Sequence, residues 1–334
     1  MNSSLVEPDR RLCVAPMMAW TDRHCRYLHR LVAPRALLFT EMVTAAALVR
    51  GPTERLLRFD AAEHPVAVQL GGSDPAELAA AAELAADAGF DEINLNAGCP
   101  SPRVQRGRFG ACLMREGELV RDCVQAMRDV VPIPVTVKCR LGVDEADDQA
   151  LLEAFVATVA GAGCRTFYVH ARKALLGGLS PAQNRSVPPL QHHRVHALKA
   201  RFPDLEIIVN GGIRETAELP AHLAATDGVM IGRAAYQDPA RLGEMHAGLF
   251  GGTAPDPWQL MARYRAYMAR ELAAGTRLSD MTRHTLGLFA GMPGARRFRR
   301  ALSDAGRLRE NDLALVDEAV NAVSCGPRRD TRAA

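Results

Sequence analysis

The sequence predicts an α/β fold, a (β/α)8 barrel followed by a small all-α helical domain, on three observations. Eight short β-branched or apolar runs alternate with helical stretches up to about residue 235, which matches the size and period of such a barrel. The segment Gly251–Pro257 (GGTAPDP), with two glycines and two prolines, then breaks the pattern as a linker. Beyond it only helical spacing remains, over Pro257–Ala274, Ser279–Ala290, Gly294–Ser303 and Asn311–Val323. The expected division is a barrel at 1–250, a linker at 251–257, a helical domain at 258–325 and a disordered tail at 326–334. A doubly wound open sheet is the rival arrangement.

The eight runs are Leu12–Ala15, Ala36–Thr40, Val66–Leu70, Glu92–Asn96, Val135–Lys138, Thr166–His170, Glu206–Asn210 and Gly228–Ile231. Ala/Leu/Glu-rich segments separate them. The clearest is Pro75–Ala88, where Asp74 suits the N-cap, Pro75 the first turn and Gly89 the residue past the end. In a barrel, chemistry gathers at the C-terminal ends of the strands. The residues at those ends are, in order, Pro16-Met17-Met18, Glu41-Met42, Gln69 to Gly72, Asn94-x-Asn96-x-Gly98-Cys99-Pro100, Lys138-x-Arg140, His170-x-Arg172, Asn210-Gly211-Gly212 and Gly232-Arg233. Polar or glycine residues stand at nearly every mouth position.

The last two carry a phosphate signature. Glycines after strands seven and eight let backbone N–H groups approach an anion, and Arg233 adds a charged fork. Lys138 can stabilise negative charge at the mouth or pair with a carboxylate, and Gln69 and His170 can hydrogen-bond a planar heterocycle. Together they point to a phosphorylated heterocyclic cofactor. No G-x-G-x-x-G opens a nucleotide-binding unit, which argues against a separate Rossmann domain.

Cys99, between Gly98 and Pro100 on a fixed turn at this face, is the candidate catalytic residue. A thiol is mostly protonated at neutral pH and can serve as general acid or as nucleophile. Cys112, on the same long loop, competes with it. For Cys13, Cys25, Cys123, Cys139, Cys164 and Cys325 the expectation is burial without chemistry.

Composition bounds the rest. The 334 residues are 48% hydrophobic and 24% charged, as in an ordinary globular protein, and no apolar run approaches a membrane span. The N-terminus lacks a signal-peptide pattern. Eight cysteines without a C-x-x-C pair suit reduced thiols in a cytoplasmic protein; no metal site is expected, and a monomer is expected because nothing in the sequence suggests an obligate oligomer. Of the 41 basic residues only Lys138, Lys173 and Lys199 are lysine, which suggests that chemistry requires lysine where it persists. The charge is uneven. Residues 260–300 hold nine arginines against Glu271 and Asp280, in a chain whose net charge is +3. Arg296-Arg297-Phe298-Arg299-Arg300 is the densest part, so an acidic polymer such as RNA is the natural partner, a solvated helical face being the alternative.

The ordered motifs Ala15-Pro-Met-Met-Ala-Trp-Thr-Asp22, Gln69-Leu-Gly-Gly72, Asn94-Leu-Asn-Ala-Gly-Cys-Pro100, Val137-Lys-Cys-Arg140, His170-Ala-Arg172, Asn210-Gly-Gly212 and Gly232-Arg233 resemble the tRNA-dihydrouridine synthases. Glu41-Met-Val-Thr44, His64-Pro-Val66, Leu179-Ser-Pro181 with Asn184-Arg185, and Arg283-His-x-Leu-Gly-Leu-Phe289 look most like the A-type bacterial branch. The likeness runs from about residue 11 to about residue 305. It implies a flavin mononucleotide (FMN) barrel with a helical tRNA-binding domain. NADPH would reduce the flavin, hydride would pass to C6 of a D-loop uridine at position 20 or 20a, and Cys99 would protonate C5. Pro16, Met17, Met18, Gln69, Lys138 and His170 would contact the flavin, while Asn210, Gly211, Gly212, Gly232 and Arg233 would hold its phosphate. Asn96 would reach the flipped-out uridine, and Gln183, Arg185, Arg296 and Arg299 would contact tRNA. Ala19, Leu175 and Cys139 depart from the family pattern, at positions where Asp, an aromatic and Thr are familiar. Two other functions fit parts of the chain: a flavin barrel acting on a free pyrimidine such as dihydroorotate, which leaves the arginine-rich segment without a role, and an RNA chaperone, which leaves the mouth residues without one.

Overall fold

In the computed structural model, residues 7–324 are described; the tail at 326–334 and Cys325 lie outside the described residues. All eight runs form strands: β1 (Leu12–Val14), β2 (Leu38–Thr44), β3 (Val66–Gly71), β4 (Glu92–Ala97), β5 (Val135–Arg140), β6 (Thr166–His170), β7 (Glu206–Asn210) and β8 (Gly228–Ile231). They pair in parallel in the order β1-β8-β7-β6-β5-β4-β3-β2. The Val14 and Leu37 backbones close the ring, with Val14 N–H donating to the Leu37 carbonyl at 2.9 Å and Leu37 N–H to that of Leu12 at 3.0 Å. The open-sheet alternative is therefore excluded. β2 runs four residues past its expected end because its register with β3 shifts between Phe39 and Met42, a bulge that carries Glu41 toward the mouth.

Strand burial on both faces explains the sequence pattern. Ile93 and Leu95 alternate with Glu92, Asn94 and Asn96 along β4, and all five are buried. Parallel strands covered by helices have no solvent face, so a polar residue at every second position must find partners inside the barrel. At the base, Arg10 Nε donates to Glu92 Oε2 at 2.7 Å and Arg10 Nη1 to Glu206 Oε2 at 2.9 Å. Above that pair, Cys13, Phe39, Tyr168, Ile208 and Met230 form an apolar layer. The helix expected after Asp74 spans Pro75–Asp87, and the Asp74 carboxylate accepts from Glu77 N–H.

The chain forms two compact units, one of residues 1–19 and 36–232, the other of 20–35 and 233–334. The second unit thus takes in Trp20–Arg35 and begins upstream of 251–257. The helix Arg23–Val32 packs on the helices Pro239–Phe250 and Pro257–Ala273. Asp22 caps that helix and also bonds His284 Nε2 at 3.0 Å, and the Trp20 and Tyr236 rings stack at 4.4 Å. The helix expected over Ser279–Ala290 is shorter. It covers Leu278–Thr282 and gives way to tight turns, among them Leu288 N–H to Thr285 carbonyl and Ala290 N–H to Gly287 carbonyl, in a stretch broken by Gly287 and Gly291. The last two expected helices are present at Ala295–Ala301 and Ala314–Asn321.

Candidate active site

β4 carries Cys99 to the barrel mouth, and the loop that holds it is pinned from several sides. The Asn96 side-chain oxygen accepts the N–H groups of Gly98 (3.0 Å) and Cys99 (2.9 Å), and the Cys99 carbonyl accepts from Ala111 N–H at 2.9 Å. Gly110 makes that last bond possible. It sits at φ 75°, and a Cβ there would lie 2.6 Å from the Cys99 carbonyl oxygen. Arg140 Nε donates to the Gly98 carbonyl at 2.8 Å, and Gln105 bridges the carbonyls of Pro100 (2.9 Å) and Leu176 (3.0 Å). Cys99 is partly exposed, whereas Cys13, Cys25, Cys123, Cys139 and Cys164 are buried. Cys112 is also partly exposed, but its thiol donates to the Phe109 carbonyl at 3.1 Å and partial burial raises its pKa. Of the two loop thiols, Cys99 is the one whose surroundings position its backbone and leave its sulfur at the mouth.

Gln69 on β3 lies level with Asn94 on β4. Gln69 Nε2 donates to Asn94 Oδ1 and Asn96 Nδ2 donates to Gln69 Oε1, both at 2.8 Å. Gln69 and Asn96 each keep one side-chain N–H beyond the bonds of this pair.

Around His170 at the mouth stand the cations Arg140, Lys138, Arg172 and Arg185. Lys138 Nζ donates to Asn210 Oδ1 at 3.0 Å, and Asn210 Nδ2 in turn donates to the Met230 carbonyl at 2.7 Å. Burial, reinforced by the Arg140 guanidinium, pulls the Lys138 ammonium down to about 8. Burial and the cations Arg140, Lys138, Arg172 and Arg185 push His170 well below its usual range, so it is neutral at physiological pH. Arg140 is lowered to about 10, first by burial and then by Arg185 and Arg172, with the neighbouring Cys99 acting the other way. The other two lysines are structural: Lys173 meets Asp147 at 3.0 Å and Lys199 meets Asp227 at 2.9 Å.

Beside this cluster, Gly211 (φ 109°) and Gly212 (φ 77°) follow β7 in a conformation that L side chains rarely adopt. A Cβ on Gly211 would come within 2.5 Å of the His170 ring, and one on Gly212 would strike Leu190. His192 Nε2 fixes the Gly211 carbonyl at 2.6 Å. A cradle without side chains, bordered by buried cations, fits a phosphorylated, flat, hydrogen-bonding group. Gly232 follows β8, with Ala15 and Met17 nearest to where its Cβ would be, and Arg233 opens the helix Arg233–Gln237. Pro16 and Met17 are half-buried, Met18 is 61% exposed, and Ala19 takes a left-handed φ of 62° with its N–H on the Glu41 carboxylate. That conformation favours Asp or Asn over Ala, and the structure offers no reason for the departure at this position.

Sequence reasoning placed Cys99, Asn96, Gln69, Lys138, His170, Asn210, Gly211 and Gly212 around one end of the barrel, and the structure brings them there. The tRNA candidates are dispersed. Gln183 and Arg185 lie on an exposed turn where Gln183 Oε1 accepts Ser180 N–H and the buried Asn184 ties the loop to Leu175. Arg296, Arg297, Arg299 and Arg300 are exposed on the helix Ala295–Ala301, and none has an ion-pair partner among the described residues. Phe298, inside that run, does not share their exposure. It is fully buried, edge-on to Phe289 at 4.9 Å, and so anchors the helix instead of offering a ring to bases. Arg265 is paired with Asp317, which removes it from the free charge. Missed by the sequence reading were Gln105 and the loop-holding role of Arg140; Arg140 was visible as a second cation two residues past Lys138.

Residues 13–324 match the profile of the family described as "Dihydrouridine synthase (Dus)". Among curated proteins, the chain is 53% identical over 319 residues to the tRNA-dihydrouridine(20/20a) synthase of Xanthomonas campestris pv. campestris, covering 96% of this chain and 95% of that protein. It is 53% identical over 316 residues to the protein of that name in Pseudomonas putida, covering 94% of each. To the one from Escherichia coli K12 it is 52% identical over 317 residues, covering 94% of this chain and 92% of the other.

Proposed function

The chain belongs to the dihydrouridine synthase family, and from that premise we propose that it reduces the C5=C6 bond of uridine in the D-loop of tRNA, at positions 20 and 20a as the names of its relatives specify. The observation that carries the residue assignment is the pinned Cys99 loop beside the Asn96–Gln69 pair and the Gly211–Gly212 cradle. FMN is the cofactor that fits. Its phosphate would lie on Asn210, Gly211, Gly212, Gly232 and Arg233, and its ring near Pro16, Met17, Met18, Gln69, Lys138 and His170. When reduced by NADPH, it supplies the hydride that C6 receives.

The chain's own groups do the rest. Hydride addition at the carbon β to the uracil carbonyl leaves negative charge on the O4–C4–C5 unit, and the cationic mouth stabilises that charge. The Cys99 thiol delivers a proton to C5; its sulfur takes up the bonding electrons and is reprotonated from solvent. Asn96 directs its remaining N–H toward the extruded base, because a uracil stacked within the loop cannot present C6. The exposed arginines at 185, 296 and 299 hold RNA phosphates, with Gln183 beside Arg185. Among the described residues no helix is long and apolar enough to cross a membrane.

The test uses tRNA from cells lacking this protein, incubated with purified protein and NADPH, with dihydrouridine mapped by mass spectrometry. Gain of two hydrogens at D-loop uridines is the expected result. No gain from a flavin-loaded, NADPH-reducible protein, or equal turnover of free uridine, overturns the reading in favour of a small-molecule oxidoreductase.

Lys138 gives a separate prediction. Its ammonium titrates at about 8 in the protein without ligand, and an anionic cofactor beside it favours the charged form. Binding therefore takes up a proton once the pH exceeds that value, and FMN affinity falls by up to about tenfold per pH unit above it. Fluorescence-quenching titrations across that range check this, and Lys138→Met should flatten the slope. A slope unchanged by Lys138→Met would make the residue a structural partner of Asn210 alone.

A further inference from the structure

A line of hydrogen bonds runs up the inside of the barrel from its base to Cys99, with one branch where the Thr136 hydroxyl also reaches the Ile93 carbonyl at 3.3 Å. Its two ends have fixed polarity. At the top, the N–H groups of Gly98 and Cys99 can only donate, so Asn96 must turn its oxygen to them. Asn96 Nδ2 then donates to Gln69 Oε1 (2.8 Å), Gln69 Nε2 to Asn94 Oδ1 (2.8 Å), and Asn94 Nδ2 to Thr136 Oγ1 (2.9 Å). The Thr136 hydroxyl donates to Glu92 Oε1 at 2.7 Å, and Tyr168 OH donates to the same oxygen at 2.9 Å. At the bottom, Glu92 is a carboxylate whose other oxygen accepts Arg10 Nε at 2.7 Å, so it can only accept. Glu92, Asn94, Thr136 and Gln69 are all buried, where water cannot substitute for a misdirected partner.

We propose that Glu92, backed by Arg10, is a positioning residue. Acting through Thr136 and Asn94, it fixes the direction of the Gln69 and Asn96 amides and so the backbone of the loop that carries Cys99. Each of the three amides and the hydroxyl can be reversed by rotation; the backbone N–H groups at the top and the carboxylate at the base agree on one direction, so no contact between them sets donor against donor. Glu92→Gln makes the point. Arg10 still demands an acceptor, so the new amide turns its oxygen down to the guanidinium and its NH2 up to Thr136. Donors then stand at both ends of the line: either the Thr136 hydroxyl turns to the Ile93 carbonyl, 3.3 Å away, and no longer donates to the base, or the amides reverse and Asn96 turns its NH2 to two backbone N–H groups. Either way the direction of the amides below Cys99 is no longer set from the base.

This inference rests on Cys99 being the acid, and its test reads the cysteine independently of tRNA. Iodoacetamide alkylation of Cys99 in the holoenzyme, followed by peptide mass spectrometry, is compared with steady-state kinetics on tRNA for Glu92→Gln, Thr136→Val and Thr136→Ser. For Glu92→Gln the Cys99 alkylation rate should change several-fold, and kcat should fall roughly 10-fold to 100-fold, as for other residues that orient a reactive group from behind, with KM for tRNA unchanged. Thr136→Val should behave likewise, and Thr136→Ser, which keeps the hydroxyl, should restore both readouts. If Glu92→Gln does not fold, the Thr136 pair decides alone. Alkylation and kcat at wild-type values in Glu92→Gln and Thr136→Val overturn the proposal, as does equal impairment of Thr136→Val and Thr136→Ser, which would indicate packing. A wild-type protein that reduces no tRNA uridine sinks the reading of function, and the alkylation comparison still decides the positioning role.

Discussion

Cys99→Ala should retain FMN and lose turnover on tRNA by about 10²–10⁴-fold, the range for removing a general acid. The substitution is unusually clean here. Alanine keeps the N–H that Asn96 receives and the carbonyl that Ala111 bonds, so the loop stays in place and only the sulfur is removed. Because the thiol is used in the chemical step, kcat and kcat/KM should fall together, and tRNA affinity by filter binding should hold. Flavin reduction by NADPH, followed by bleaching of the yellow chromophore, should proceed at the wild-type rate, since no uridine is protonated in that half-reaction. Cys112→Ala is the control. Its sulfur is committed to the Phe109 carbonyl, and its loss should leave turnover within about twofold, as for a surface change away from special features. Full activity in Cys99→Ala would move the proton donor elsewhere, and a double Cys99→Ala/Cys112→Ala variant would show whether the second thiol takes over.

The barrel was legible in the sequence because strands buried on both faces write themselves as short apolar runs, and each of the eight lies within a few residues of its observed strand. The mouth was legible because topology places strand ends together whatever the side chains are. What the sequence hid is of two kinds. One is contact between distant segments. Asp22 and His284 are separated by 262 positions and nothing local ties Trp20–Arg35 to the helical unit, although both residues lie in motifs that the sequence makes conspicuous. The other is polarity inside the barrel. Glu92, Asn94 and Asn96 recur at every second position of a run otherwise apolar, which is the period of one strand face, but only the register of β3, β4 and β5 reveals that Gln69, Asn94 and Thr136 share a level. Cys99 stood out in its Gly-Cys-Pro turn; the groups that hold it in place did not.

Replacing Arg296, Arg297, Arg299 and Arg300 together by Gln should raise the Kd for tRNA by roughly 10²–10³-fold at low salt and flatten its salt dependence. The helix Ala295–Ala301 explains how these four act together. Ala295, Phe298 and Leu302 recur at helical spacing and face inward, which leaves the four arginines on the outer circumference. Of the other arginines in the basic segment, Arg265 is held by Asp317, and Arg270 lies over the Tyr27 and Tyr267 rings at 5.6 and 5.2 Å. Gln keeps most of the aliphatic stem and Phe298 keeps the anchor against Phe289, so the far-ultraviolet circular dichroism should not change. Each single-strand phosphate that an arginine neutralises adds about 0.7 to the steepness of log K against log salt, so removing four such arginines should reduce it by about 3. Turnover at saturating tRNA should survive, because none of the four is among the groups that hold Cys99 or the phosphate cradle; the loss belongs to KM. An unchanged salt slope would place the RNA footprint on another face, and the exposed Arg185 beside Gln183 is where it would then be sought.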